Sequence, residues 1–587
     1  MILTGLSYNK EYCKDKVFLG EWCLAQSNDV FKDKEKYSIC NYHWRNREKF
    51  NHDVINLEYF YEKKLKETAA KLNRITNQTK SLDYWRIIVG SSLGVLVTVF
   101  WDRWECLNII EKDSVEYQVL DYNIEQSEIA PKSHYDLVLK AALCDKFNQY
   151  LFQKMLINRG FTRFINNDIS SKSQYKDKSI RYSKKKYINR LRHKARIMIS
   201  KLKELIYKIA RPSQYISSNY IWFQSDYLPL WLKIKLLISL RKFPFGLSCQ
   251  LREWKPESIA ILNNESKNDA MYSNFSEFFD NCYWDFLPAT ITKGYQEIRS
   301  IINERRAFPK YIFTAGAHLF DDNFKIWAAE ATENGSKFYI APHGGSIPQR
   351  FSDFSHQESY PGKLVWNSTG KIESRTRVYP GILLRKIPRY NKRNHNSKLL
   401  IVGYEGTTYV FRPESVGAGC LTLDIFEQQK KFIDSLNIKI KKKLWIRPYP
   451  TVGWNLDKYY RDELGGEHIS KNTNYYSDLR LSKITICTYP ETAYLQSMAF
   501  GVPTVLLYVS SIWESKLVYK NVLEKLYDAK MIFDDPKLAS DHIMNIWEEP
   551  EVWWNSKIVA ETRELFNLHF IGKKKDLFKR YHDLFTR

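Results

Sequence analysis

The sequence predicts an α/β protein built from two doubly wound domains, with a basic helical insertion in the first. Three observations predict it. Short, continuously apolar runs recur, among them KVFLG (16–20), KYIFTAG (310–316), KFYIAPHGG (337–345), KLLIVGY (398–404), KLWIRPYP (443–450), KITICTYP (483–490) and VPTVLLY (502–508). Stretches with helical apolar spacing separate them, and strands apolar on both faces belong to a parallel sheet covered by helices. Between the two sets of strands, YPGILLRKIPRYNKRNHNSK (379–398) carries Pro, Asn and charge with no apolar period, the composition of an interdomain linker.

The elements follow in chain order. KVFLG reads as a strand, 57–73 and 85–107 as helices, and EYQVLDY (116–122) as a strand. A basic insertion covers 168–215 and an aromatic-rich stretch covers 222–254. Strands at 310–316, 337–345 and 363–368, with a helix at 324–333, complete a first domain over 1–390. The second domain, 391–565, alternates strands with helices at 421–436, 456–464, 491–500 and 511–528. A helical tail, 566–587, closes the chain.

Composition narrows the function classes. The 587 residues are 44% hydrophobic and 15% aromatic, far too apolar for a disordered chain. Nine cysteines form no CxxC pair, so neither a zinc ribbon nor a disulfide framework is indicated, and the thiols suit a reducing compartment. The N-terminus lacks a signal-peptide pattern. The apolar run 87–101 is fifteen residues long and is diluted by Gly90, Ser91, Ser92 and Gly94. That falls short of the roughly 20 residues of a membrane span and predicts a buried core segment. A cytoplasmic protein, peripheral on the inner face of a membrane, is expected.

The net charge is +24, and residues 172–208, beginning at Lys172 and ending at Lys208, carry half of it: fourteen Lys/Arg against Asp177 and Glu204. Ile188, Leu191, Ala195, Met198, Leu202 and Leu205 recur within this stretch at helical spacing. An amphipathic helix with a basic face suits an anionic membrane, and equally a solvated helix docked on its own domain; the membrane is the expected partner. Nucleic acid is not an expected partner, because no recognisable nucleic-acid module accompanies the charge.

In a parallel sheet, chemistry collects just past the strand C-termini. Four such places are polar or small: Glu21 in GEWC, His343 with Gly344 and Gly345 in PHGG, Arg447 in RPYP, and Tyr489, Glu491 and Thr492 in TYPETAYLQ. A His-Gly-Gly turn presents backbone N–H groups to an anion, though it is equally the sequence of a turn with positive φ. Arg447 suits a phosphate or carboxylate, and equally an ion pair. Thr492 suits a ribose or phosphate, or a plain helix-start hydrogen bond. Glu21 is a general-base candidate or the partner of a nearby arginine. YHWRNR (42–47) and FWDRW (100–104) place His43, Asp102 and Arg103 among aromatics, which suits either saccharide stacking or a structural ion pair; FWDRW favours the structural pair.

No P-loop, GxSxG elbow, HExxH or strand-linked GxGxxG occurs, and Asp321–Asp322 and Asp534–Asp535 are not D-x-D pairs. No metal and no cofactor is expected from these motifs.

The ordered set FLGEWC (18–23), YHW (42–44), YWR (84–86), FWDRW (100–104), HGG (343–345), TYPETAYLQ (488–496) and VPT (502–504) resembles a family of transferases from bacterial O-antigen and surface-polysaccharide clusters, more distantly similar to the capsule Kdo transferases. The sequence departs from that pattern at Pro342, Gln496 and the SIPQRFSD loop. The resemblance implies a GT-B-like pair of Rossmann-like domains and a metal-independent glycosyltransferase. A nucleotide-activated sugar, with CMP-linked Kdo an attractive donor, would sit near Gly344, Gly345, Arg447, Tyr489, Glu491 and Thr492. Glu21 or His343 would act as base, and the acceptor would enter near His43, Asp102 and Arg103. Two alternatives stay open: a CDP-linked polyol-phosphate transferase, and a non-catalytic, membrane-tethered polysaccharide assembly factor.

Overall fold

A computed structural model describes residues 1–7, 16–25, 31, 34–112, 117–166, 218–243, 272, 274–303, 307–342, 344–349, 363–365, 376–378, 397–415, 421–449, 453–572 and 577–586. The basic stretch 172–208, His343 and nearly all of the expected linker lie outside these residues.

Two five-stranded sheets organise the chain, and every strand pair in them is parallel. The first contains β5 (Ile221–Gln224), β6 (Tyr311–Thr314), β7 (Lys337–Ile340), β8 (Lys363–Val365) and β9 (Thr376–Val378), side by side in sequence order. The second contains β10 (Lys398–Val402), β11 (Leu444–Arg447), β12 (Ser482–Cys487), β13 (Thr504–Leu507) and β14 (Ile532–Phe533), in the order β11-β10-β12-β13-β14. The fold is therefore α/β with two Rossmann-like sheets. In the second, the direction of winding reverses at β10, which opens a crevice between the C-terminal ends of β10 and β12.

The region before the first sheet differs from the expected doubly wound half. KVFLG and EYQVLDY form strands, but only as the small parallel pairs β1 (Val17–Phe18) with β2 (Ser38–Ile39), and β3 (Val119–Asp121) with β4 (Phe164–Asn166). Neither pair joins the five-stranded sheet. Two long helices take up the space instead, α1 (Arg47–Thr76) and α2 (Leu82–Lys112).

Helix α2 is long and apolar enough to cross a membrane, yet 89% of its most apolar window is buried inside the protein. It is the core helix the sequence indicates, extended by polar turns at both ends. Its small residues have a purpose. A Cβ on Gly90 would lie 2.8 Å from the Tyr61 hydroxyl of α1, so glycine lets the two helices close. Ser91 accepts a hydrogen bond from Lys325 Nζ at 3.0 Å across the interface with the Asp322–Glu333 helix. Burial lowers the Lys325 pKa, and Asp322 beside it pulls it back up.

The first sheet is covered on both faces. Trp222 packs on Trp327 of the Asp322–Glu333 helix on one face. On the other, Ile221, Phe223, Tyr311, Phe313 and Tyr339 form a separate core with the Leu230–Ser239 helix and the last helix of the chain, Leu577–Leu584. The expected helical tail thus crosses back from the second sheet to the first.

Candidate functional site

The strand C-termini of the two sheets face each other. The loop leaving β7 runs against the loops leaving β12 and β13: Ile347 N donates to Pro490 O at 2.8 Å, and Lys516 N donates to Pro348 O at 3.0 Å. Between them, Gly345 N donates to Thr492 Oγ1 at 3.1 Å. A Cβ on Gly344 would stand 2.4 Å from the same oxygen. Gly344 is thus required for close approach, and neither it nor Gly345 has a positive φ. Thr492 starts the Thr492–Phe500 helix, and its hydroxyl is occupied by the glycine loop.

Behind this contact lies the crevice of the second sheet. Tyr404, two residues past β10, packs its ring 4.9 Å from Tyr489 and 5.8 Å from Tyr449, and edge-on to Trp513 at 5.4 Å. Tyr449 and Tyr489 are 6.1 Å apart. Among the described residues, none of the three tyrosine hydroxyls makes a hydrogen bond. Glu491 stands at the start of the Thr492–Phe500 helix without capping it. It is half-buried and unbonded among the described residues. Burial pushes its carboxyl above the ordinary range, and Arg412 opposes that rise. Burial, together with Glu491 and the neighbouring tyrosines, holds the Tyr404 and Tyr489 hydroxyls well above their usual pKa. The crevice is therefore walled by three phenol rings and lined by hydroxyls and a carboxylate that make no hydrogen bond among the described residues.

Arg447 ends β11 close by, its guanidinium 5.5 Å from the Tyr475 ring. Its fork is engaged: Nη1 donates to Asp478 Oδ2 at 2.5 Å and to Asn472 O at 3.0 Å. Of the two readings the sequence allows, its contacts are those of an ion pair. Asp478 is fully buried and also accepts from Trp445, Ser470 and Asn472.

Glu21 is buried in the turn after β1, and its Oε1 accepts from Arg45 Nη2 at 2.7 Å. Arg45 also pairs with Asp424 of the Thr422–Ser435 helix at 2.9 Å, so the triad joins the helical layer to the second sheet. Asp102 and Arg103 are 1% exposed and paired with each other. Asp102 also accepts from Tyr42 at 2.5 Å and meets His43 Nε2 at 3.2 Å. Burial raises the Asp102 pKa, but Arg103, His43 and Tyr42 outweigh it and hold the carboxyl below its ordinary value. This is the structural ion pair FWDRW favours. At that burial Asp102 and Arg103 reach no acceptor themselves; they fix the turn that carries His43. His43, Asp102 and Cys106 bring ligand atoms within 4.8 Å of one another, but the Arg103 cation already occupies the carboxylate there.

Sequence reasoning missed the loop after β10. Tyr404 enters the crevice. Glu405 accepts from the backbone N–H groups of Gly453, Trp454, Asn455 and Leu456, securing the start of the Leu456–Leu464 helix. Tyr409 donates to half-buried Asp145 at 2.5 Å and lies under Arg103 at 5.4 Å. Burial lifts Asp145 to about 6, against the hydrogen bonds of Tyr409 and Gly5. Arg412 approaches Glu491. The signal was present: a polar, aromatic segment directly follows the apolar run Leu399–Val402.

With this geometry in place, comparison with known proteins becomes informative. The model of the LIC12162 family transferases matches residues 1–585. The chain belongs to the LIC12162 family of transferases. The O-antigen and Kdo associations of the resembled family are finer than that assignment. No curated protein matches this transferase. Among solved structures, a protein from Listeria monocytogenes, put forward as a UDP-N-acetylglucosamine 2-epimerase, aligns with 63% of this transferase and 96% of its own chain. The identity is 11% and the TM-score 0.34, a likeness that carries no argument about activity.

Proposed function

We propose that this transferase is a glycosyltransferase that moves a sugar from a nucleotide-activated donor to a surface-polysaccharide acceptor. The observation that carries the reading is the crevice at the β10/β12 winding reversal, where three tyrosine hydroxyls and the Glu491 carboxylate, unbonded among the described residues, converge. Phenol rings suit the flat face of a nucleobase or sugar, and Glu491 accepts hydrogen bonds from ribose or sugar hydroxyls. Arg412 supplies positive charge beside the leaving phosphate. It also suits the carboxylate of a CMP-linked ulosonic acid, because the Arg447 fork is spent on Asp478.

In the reaction, an acceptor hydroxyl attacks the anomeric carbon. The bond to the nucleoside phosphate breaks, its electron pair leaves with the phosphate, and the acceptor proton passes to a base. Glu21 and His343 are the base candidates. Positioning and electrostatic stabilisation of the leaving group supply the catalysis. The acceptor enters from the first sheet and the helical layer, and the basic residues 172–208 keep the protein on the inner face of an anionic membrane.

A thermal-shift series with CMP, CDP, UDP and GDP tests the reading. The matching nucleotide at 100 times its Kd stabilises the fold by about 2.7 kcal/mol. A shift with CDP, followed by transfer of a polyol phosphate in a turnover assay, would replace the sugar by that group. No shift with any nucleotide would leave only the non-catalytic assembly reading.

A further inference from the structure

The Leu230–Ser239 helix is apolar on two sides, and only one of them is used. Leu232, Leu236 and Leu237 are fully buried against Phe223 and the C-terminal helix. On the opposite side Leu230, Trp231 and Ile238 are 56%, 56% and 58% exposed. At helical spacing, half-buried Ile234 completes one continuous apolar strip with them. Tyr227 and Phe243 extend it at either end, both exposed. The strip does not come from a loosely held element. Asp226 fixes the helix start by accepting from Leu228 N at 2.7 Å and from Lys233 Nζ at 3.1 Å, while the buried leucines seat the helix on the sheet.

Its surroundings are basic. Lys235 is exposed, with its ammonium 4.3 Å from the Phe578 ring. Arg241, Lys579 and Arg580 are exposed on the same helix pair or at its end. An apolar strip holding a tryptophan and rimmed by lysine and arginine matches one occupant: the interfacial zone of an anionic bilayer. There the tryptophan sits at headgroup level and the cations meet lipid phosphates. The helix also follows directly from β5, so it stands at the strand-end side of the first sheet, the side that faces the crevice.

The geometry points to the Leu230–Ser239 helix as a membrane foot that inserts Leu230, Trp231 and Ile238 into an anionic lipid surface. This contact is separate from the charge of residues 172–208 and independent of which donor the crevice takes. It adds depth of insertion, which polybasic attraction alone does not give.

The test is co-sedimentation of the full chain with phosphatidylcholine vesicles containing about 30% phosphatidylglycerol. The Trp231→Glu/Ile238→Glu variant should lose at least about tenfold in partitioning, since each side chain withdrawn from lipid forfeits its apolar burial. Trp231→Phe should retain most of it. Both replaced residues are exposed, so unfolding midpoints and nucleotide-induced shifts should equal those of the parent protein. A variant lacking 172–208 should bind more weakly but still respond to Trp231→Glu. Three results would overturn the inference: partitioning unchanged by Trp231→Glu/Ile238→Glu, no vesicle binding by the parent protein, or a parent dimer that the variant splits, which would make the strip a contact between copies.

Discussion

The two five-stranded sheets share a strand count and a direction but not an order, and the order decides what each does. In the first, β5 to β9 lie side by side in sequence order, so no winding reversal parts the strand ends there. One face is covered by the Asp322–Glu333 helix, the other by the Leu230–Ser239 helix together with a helix from the far end of the chain. In the second, β10 lies between β11 and β12, so neighbouring crossovers diverge and the strand ends part. Tyrosine hydroxyls and the Glu491 carboxylate that make no hydrogen bond among the described residues collect in that gap. The first sheet is arranged for packing and for presenting a loop, the second for an open crevice at its strand ends.

The comparison breaks or sharpens under four changes. The largest effect is expected from removing residues 573–587, which takes Leu577, Tyr581, Leu584 and Phe585 off the first sheet. Each fully buried apolar side chain contributes about 1.5–3 kcal/mol, so the loss should exceed ~5 kcal/mol. Denaturant unfolding should show the first sheet melting ahead of the second; a single unchanged transition would mean the tail is dispensable.

Next, Glu491→Gln should weaken nucleotide-sugar binding by about 1.5–3 kcal/mol, the range of a charged hydrogen bond, as read by calorimetry. Stability should move the other way. The folded-state pKa of Glu491 is raised, so its ionisation opposes folding as pH climbs through and above the ordinary carboxylate range. The ligand-free variant should therefore melt higher than the parent at neutral pH, with the gap closing in acid. A variant that binds normally and melts lower would remove Glu491 from the site.

Gly344→Ala places a methyl group against Thr492 Oγ1 and should cost about 1–3 kcal/mol through overpacking. In a Thr492→Ala background most of that cost should vanish, a coupling that a double-mutant cycle measures directly. Additive losses would show that the loop is not seated on Thr492. The smallest effect concerns Asp145 at the seam between the helical layer and the loop after β10. With its pKa near 6, the carboxyl is favoured protonated in the fold, and stability falls as pH rises from the ordinary carboxylate value towards 6. Asp145→Asn should gain on the order of 1–2 kcal/mol above pH 6 and nothing in strong acid. A pH-independent difference would contradict the burial.

The α/β alternation was legible because continuous apolar runs mark strands buried on both faces. β10, β11 and β13 fall inside the runs at 398–404, 443–450 and 502–508, β12 starts one residue before the run at 483–490, and the 456–464 helix matches Leu456–Leu464. The short strands β9 and β14 were missed, since two or three residues carry no period. The 511–528 stretch is helical only over its second half, Lys520–Asp528, after a single turn at Leu517–Tyr519.

The residues around the crevice were legible in part. Thr492 holds the glycine loop, while Tyr489 and Glu491 beside it were legible because they follow a strand, the position that singles them out in the sequence. Tyr404, Tyr449 and Trp513 were not, because they join Tyr489 only through the order of strands, and no local pattern encodes β10 between β11 and β12. Arg447 looked like a ligand for anions because its partner Asp478 stands thirty-one residues further on, in a short helix with no pairing signal.

The return of the last helix to the first sheet also sets a timetable for synthesis. When β9 leaves the ribosome, all five strands of that sheet exist, but the face bearing Phe223, Tyr311, Phe313 and Tyr339 has the Leu230–Ser239 helix and lacks Leu577, Tyr581, Leu584 and Phe585. At roughly 5–20 residues per second, the remaining chain takes about ten to forty seconds to appear. For that interval part of an aromatic face stands open on a nascent protein. Its closing piece, Leu577–Leu584, follows the whole of the second sheet, so the sheet made first is completed after the second.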